Sequence, residues 1–220
     1  MFDETIRNML IDGTWATLYM TLVSSLFGYV VGLPLGIILA ITDKEGIKPN
    51  AVIYKILDFV VNLTRSIPFL ILLIMVMPLT KAIVGQSYGS TATIVPLTIA
   101  AAPFIGRMVE SSLKEVDKGV IEAAQSMGAG TFTIIYKVLL GEARTSLLVG
   151  VTIAVGTILG YSAMSGVVGG GGLGDIAVRY GYYRYETDIM FVTIIILVVL
   201  VQILQGIGMM LSKKLDRRRA

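Results

Sequence analysis

The sequence contains no cysteine and no histidine. That absence excludes disulfides, thiol chemistry, the usual zinc and haem ligands and any catalysis that relies on imidazole. Charge is also scarce, with 15% of the 220 residues charged, where soluble domains carry roughly a quarter. No Walker A pattern, G-x-x-x-x-G-K-[ST], is present, so the chain shows no means of hydrolysing ATP itself. What it has in excess is apolar character. Hydrophobic residues make up 55% of the chain and the mean hydropathy is +0.81, the composition of an integral membrane protein. A net charge of +3 and a pI near 9.1 would suit nucleic acid. The basic residues, however, fall in short loops and at the C-terminus without forming one continuous face, so membrane topology explains them better and no nucleic-acid partner is expected.

The apolar runs predict an all-α integral membrane protein, a single domain over residues 1–220, with five transmembrane helices. Residues 13–42 carry no charge and form a first span, with Pro34 as the expected kink. A second span covers about 59–84. A third, about 91–109, holds Pro96, Pro103 and many small residues, which suits a helix inside the bundle. The fourth and fifth fall near 147–168 and 189–211, leaving a polar loop of about 110–144 between spans three and four. Lysine and arginine set the orientation. Lys44, Lys48, Lys55, Arg107, Lys114, Lys118, Lys137, Arg144, Lys213, Lys214, Arg217, Arg218 and Arg219 fall on one side. Only Arg7, Lys81, Arg179 and Arg184 fall on the other, with Arg65 at or within span two. The C-terminus and the long loop are therefore expected in the cytoplasm and the N-terminus outside. Asp3, Glu4 and Asp12 stand where a cleavable signal would carry positive charge, so no such signal is expected.

Within that loop lies Ile121-Glu122-Ala123-Ala124-Gln125-Ser126-Met127-Gly128-Ala129. The Glu122 carboxylate suits the positive end of a helix dipole, the alanines keep one face thin, and Gly128 permits a sharp exit. Such an element fits a groove on a partner. The segment resembles the EAA loop of ABC-importer permeases, although Gly141 stands where that pattern has proline. Further segments, Asn62-Leu63-Thr64-Arg65-Ser66-Ile67-Pro68-Phe69, Ile94-Val95-Pro96-Leu97-Thr98, Ala101–Glu110, Gly160-Tyr161-Ser162-Ala163-Met164 and Gly169–Gly174, resemble the methionine-importer permease family. The resemblance implies a homodimer of five-span subunits in the bacterial cytoplasmic membrane. It also implies two cytoplasmic ABC ATPase subunits that use ATP and Mg, and an external substrate-binding lipoprotein that delivers methionine. The permease itself would bind no cofactor. Glu122, Ala123, Ala124 and Gly128 would form the cytoplasmic coupling helix against the ATPase.

Other features keep two readings each. Met164 sits among small residues near the outer half of span four, where a flexible thioether suits either a gate in a translocation path or ordinary packing. Tyr161 and Ser162 are further candidates for lining that path. Gly169–Gly174 contains a GxGxxG-like pattern, but no strand precedes it, so a flexible turn fits better than nucleotide binding. Asp58 and Arg65 share one helical face. The tyrosines at 180, 182, 183 and 185 with Arg179 and Arg184 read as an interfacial belt or as a docking surface for the binding protein. Lys213–Arg219 reads as a headgroup anchor. A permease for another amino acid or small peptide is one alternative function. A secondary transporter is another, though it would favour intramembrane ionisable groups that are few here.

Overall fold

Lipid gives apolar helices no hydrophobic reason to associate, so close backbone approach has to supply the contact. In the computed structural model, which describes residues 3–215, α1 (Glu4–Thr42) and α5 (Ser90–Lys114) make that approach. Gly28, Gly32 and Gly36 recur every fourth residue on one face of α1. A Cβ at Gly28 would lie 2.9 Å from the Ala101 Cβ, and one at Gly32 would lie 2.7 Å from the Ala102 carbonyl oxygen. At Gly36 it would run into the Gly106 carbonyl oxygen. Ala101, Ile105 and Val109 of α5 are buried on the facing side.

α1 is capped by the Asp3 side chain, which accepts from the Glu4 N–H at 2.8 Å, so the helix starts ahead of the expected Gly13. Its 39 residues extend about 58 Å, nearly twice a bilayer's hydrocarbon core of ~30 Å. It passes Pro34 without a break, as α5 passes Pro96 and Pro103. Three shorter helices lie between them: α2 (Ala51–Ser66), α3 (Phe69–Met75) and α4 (Met77–Val84). Asn50 caps α2 by accepting from the Val52 and Ile53 N–H groups at 3.1 Å each. α2 stops at Ile67, because a residue before proline is pushed out of the helical region, and α3 leaves at 102°. The region expected as a second span at 59–84 is therefore broken at Pro68 and again at Val76.

After α5 come α6 (Lys118–Ser126), a helical stretch over 131–142 with π-type turns at Ile134–Leu139, α7 (Arg144–Met164), the short α8 (Gly172–Ile176) and α9 (Thr187–Leu215). Among the described residues there is no strand. α1, α5, residues 144–182 and α9 are each long and apolar enough to cross a membrane, and the bent α2–α3 pair adds a fifth crossing if it is a single broken span. A core of Met20, Leu97, Ile105, Val109, Ala154 and Ile158 joins α1, α5 and α7. The start of α1 is held separately by Leu10 against Leu173, Ile176 and Ile189.

The glycine-rich segment is packed, where the sequence suggested a flexible turn. Gly169, Gly171 and Gly172 all have positive φ, and Gly174 leaves no room for a side chain against the Ala163 carbonyl. The Gly169 carbonyl accepts from the Gly89 N–H at 2.9 Å, and the Leu173 N–H donates to the Thr17 hydroxyl at 2.9 Å. These bonds tie the start of α1, the start of α5 and the end of α7 together at one end of the bundle. At the other end Ser212 of α9 reaches the Thr145 carbonyl at 3.4 Å. α1 begins at the first end and α9 finishes at the second. Lys213 and Lys214 close α9, whereas Arg217, Arg218 and Arg219 lie outside the described residues.

Gly32→Leu and Gly36→Leu are each expected to overpack the α1–α5 seam, costing about 1–3 kcal/mol, and to lower the thermal midpoint of the detergent-purified protein. Gly141→Ala, where a Cβ meets nothing within 4 Å, should leave the midpoint unchanged in the same melting experiment.

Candidate functional site

α6 projects at the end of the bundle where α1 and α5 finish. Asp117 starts it by accepting from the Gly119 N–H at 2.7 Å. Gly128 ends it with φ +79°, a conformation that costs glycine little. The Ala129 N–H then returns to the Ala124 carbonyl at 3.0 Å. Only one of the four residues singled out here points inward: Ala124 is buried against the core that holds Ile134 and Leu139. Glu122, Ala123 and Gly128 are exposed.

The exposed face is broader than the Glu-Ala-Ala segment. Met127 is 81% exposed and Phe132 79%, with Val120 and Tyr136 also open. The Phe132 and Tyr136 rings lie stacked with centroids 6.3 Å apart. Exposed apolar side chains of this kind make this end of the bundle a candidate interaction surface. Reading the sequence missed Phe132 and Tyr136, although two aromatic residues four apart in a polar loop were a visible signal. Beside α6 lies a cleft of about 390 Å³ bordered by Glu122, Lys44, Lys118 and Ile47.

A group of charges links this end to the bundle. Glu110 of α5 is 2% exposed, and both of its oxygens are occupied. Arg107 Nη1 donates to Oε2 at 2.6 Å, while Lys114 Nζ and the Tyr54 hydroxyl donate to Oε1 at 2.7 and 3.1 Å. Arg107 Nη2 also reaches Asp58 at 2.5 Å and the Asn62 side-chain oxygen at 3.0 Å, both on α2. Asp58 thus pairs with α5, whereas Arg65, two turns further along α2, is exposed. Lys114 reaches Asp43, just past α1, at 3.0 Å, and Lys118 of α6 reaches Glu45 at 2.6 Å. The Asp43 carboxyl is held below its ordinary value by the Glu45 backbone N–H and then by Lys114. Glu45 is lowered by the Lys118 ammonium, which Glu45 raises in return. All three are charged at neutral pH.

The second group lies toward the far end of α7. Tyr161 stacks on Phe69 of α3 with centroids 4.5 Å apart and planes within 5°. Met164, three residues on, is 46% exposed. Ser162 turns the other way: it is fully buried and its hydroxyl donates to the Leu159 carbonyl at 2.8 Å. The structure thus brings Tyr161 and Met164 to one side and sets Ser162 into the packing. Among the outer tyrosines, Tyr182, Tyr183 and Tyr185 are strongly exposed, while Arg184 lies over the Tyr180 ring at 4.6 Å.

Residues 32–217 match the family described as "Binding-protein-dependent transport system inner membrane component". The chain is 52% identical over 211 residues to the probable D-methionine transport system permease protein MetI of Vibrio cholerae serotype O1, a match covering 96% of this chain and 94% of that one. It is 49% identical over 164 residues to the D-methionine transport system permease protein MetI of Escherichia coli K12, covering 74% of this chain and 76% of that one. A solved structure of the MetNI methionine ABC transporter in an inward-facing conformation superposes with a TM-score of 0.97 at 46% identity, covering 98% of this chain and 100% of that one. With its helices, its loop element α6 and these likenesses taken together, the chain belongs to the family of binding-protein-dependent transport system inner membrane components.

Proposed function

We propose that this chain is the permease subunit of an ATP-driven importer that moves methionine, D-methionine included, across the bacterial inner membrane. The observation that carries the reading is α6. It is a short helix on the loop between two membrane-crossing helices, presenting Glu122 and Ala123 beside the exposed Met127, Phe132 and Tyr136. Such a surface suits a cytoplasmic ATPase subunit, which binds ATP and Mg, whereas this chain has no nucleotide motif. Closing and opening of two ATPase subunits would reach the membrane helices as rigid-body motion of α6, with the Glu122 carboxylate free for charge-assisted hydrogen bonds across the contact.

The remaining assignments follow from charge and geometry. The lysine and arginine distribution favours a cytoplasmic α6 and C-terminus and an external N-terminus. Two copies of this chain would enclose the path, with Tyr161 and Met164 facing it and Ser162 supporting α7 from behind. A thioether that can repack around cargo suits a narrow gate there. An external lipoprotein would deliver the substrate to the end that carries the glycine-rich segment. Methionine as cargo is supported by the names of the relatives and of the solved transporter.

The test is methionine uptake into proteoliposomes holding this chain, with and without its ATPase and binding protein, and with and without ATP on the ATPase side. Uptake that requires both partners and ATP is expected. Uptake by this chain alone, driven by an ion gradient, would replace the reading with a secondary transporter. Glu122→Lys is expected to weaken association with the ATPase about tenfold, the loss of one charge-assisted bond at ~1.4 kcal/mol. Titration of detergent-solubilised permease with the ATPase reads it directly, and native affinity would remove Glu122 from the contact.

A further inference from the structure

α2 is weakly held by apolar contact. Val61 alone among its residues is fully buried, while Val52, Ile56, Phe59, Val60 and Leu63 form a largely exposed outward stripe. Its tie to the bundle is polar: Tyr54 to Glu110, and Asp58 and Asn62 to Arg107. Glu110 and Arg107 sit on the same helix as Lys114. From Lys114 the chain of contacts continues to Asp43 and, through Lys118 and Glu45, to the first residue of α6. At its other end α2 passes through Ile67 and Pro68 directly into Phe69, whose ring lies on Tyr161. Polar and charged contacts thus run from α6 to α2, joined at Asp43 by the Glu45 N–H, and the backbone through Ile67 and Pro68 continues from α2 to the aromatic pair.

We infer that Glu110 is a positioning residue for transport: with Arg107 it clamps α2 to α5, so that a displacement of α6 is carried to the Phe69–Tyr161 pair. This rests on the permease reading above, and it adds which side chains convert ATPase motion into motion of the path. Charged contacts suit the task because a packed, ion-paired element has discrete arrangements and does not deform continuously. A buried carboxylate with both oxygens engaged by three named donors fixes α2 in one register on α5.

Removing Glu110 would take away the buried carboxylate that Arg107 and Lys114 share, leaving Arg107 to Asp58 and Lys114 to Asp43, and breaking a buried ion pair risks unfolding. The cleaner variant is Tyr54→Phe with Asp58→Ala, which leaves no acceptor at position 58. It strips two of α2's polar ties while Glu110 keeps both cations of its own helix. The complete complex, reconstituted with its ATPase and binding protein, is assayed for methionine uptake and ATP hydrolysis in the same vesicles. The double variant is expected to keep turning over ATP while the ATP consumed per methionine rises about fivefold or more, the size of a typical coupling energy between sites. Asp58→Glu, which retains a carboxylate for Arg107, should hold the unmodified ratio. A double variant with the unmodified ratio, or with uptake and hydrolysis falling in proportion, overturns the inference. Failure of the unmodified complex to take up methionine with ATP would instead remove the permease reading and this inference with it.

Discussion

How near α1 can lie to α5 governs the rest of the bundle. Gly28, Gly32 and Gly36 let the two backbones approach to the point where a single Cβ would strike a carbonyl oxygen. In lipid this van der Waals contact takes the place that hydrophobic burial has in water. Once α1 lies along α5, α5 becomes the central post. α7 packs on one side through Ile158 and Ala154, and α2 and α3 close from another. The same contact fixes the lower end of α5 beside the exit of α1, and so brings Lys114 within reach of Asp43.

At that lower end the character of the structure changes from apolar to ionic. Charge is expensive within a membrane unless it is paired. Here Glu110 is satisfied by two cations and a phenol, so its burial is compatible with folding and fixes the position of α2. The opposite end is held differently. Glycines with positive φ, the Gly89–Gly169 backbone bond and the Leu173 N–H on the Thr17 hydroxyl lock residues 169–173 against α1 and α5. One end is thus tied largely through backbone groups and the other by side-chain charge. Only the charged end carries α6 and the exposed rings of Phe132 and Tyr136 on the helical stretch that follows it.

Much of this was legible in the sequence, for reasons that are local. Long uncharged runs become helices, and the segment around Glu122, its alanines and Gly128 becomes a short helix. Its start lies earlier than the sequence suggested, at Lys118 with Asp117 as the cap, so Glu122 stands past the first turn and not at the positive end of the dipole. The break at Pro68 was also written locally, since proline restricts the residue before it, and a single stretch over 59–84 passed over it. The four-residue glycine spacing on α1 was equally visible and went unread. The Glu110 network is of another kind. Tyr54 and Glu110 lie 56 residues apart, and Lys114 and Asp43 lie 71 apart, so nothing in either segment names its partner. Ser162 illustrates the same limit: adjacency to Tyr161 suggested the path, but one residue turns a helical side chain by about 100°, and here it points into the core.

The account rests on α6 being a cytoplasmic surface covered by a partner, and the absence of cysteine makes that directly measurable. Met127→Cys places a single thiol at the C-terminal end of α6, on a residue that is 81% exposed. A membrane-impermeant maleimide should leave it unlabelled in intact cells, label it in inside-out vesicles of the permease alone, and lose access when the ATPase subunit is added. Labelling from outside intact cells, or labelling that the ATPase does not diminish, would contradict the account.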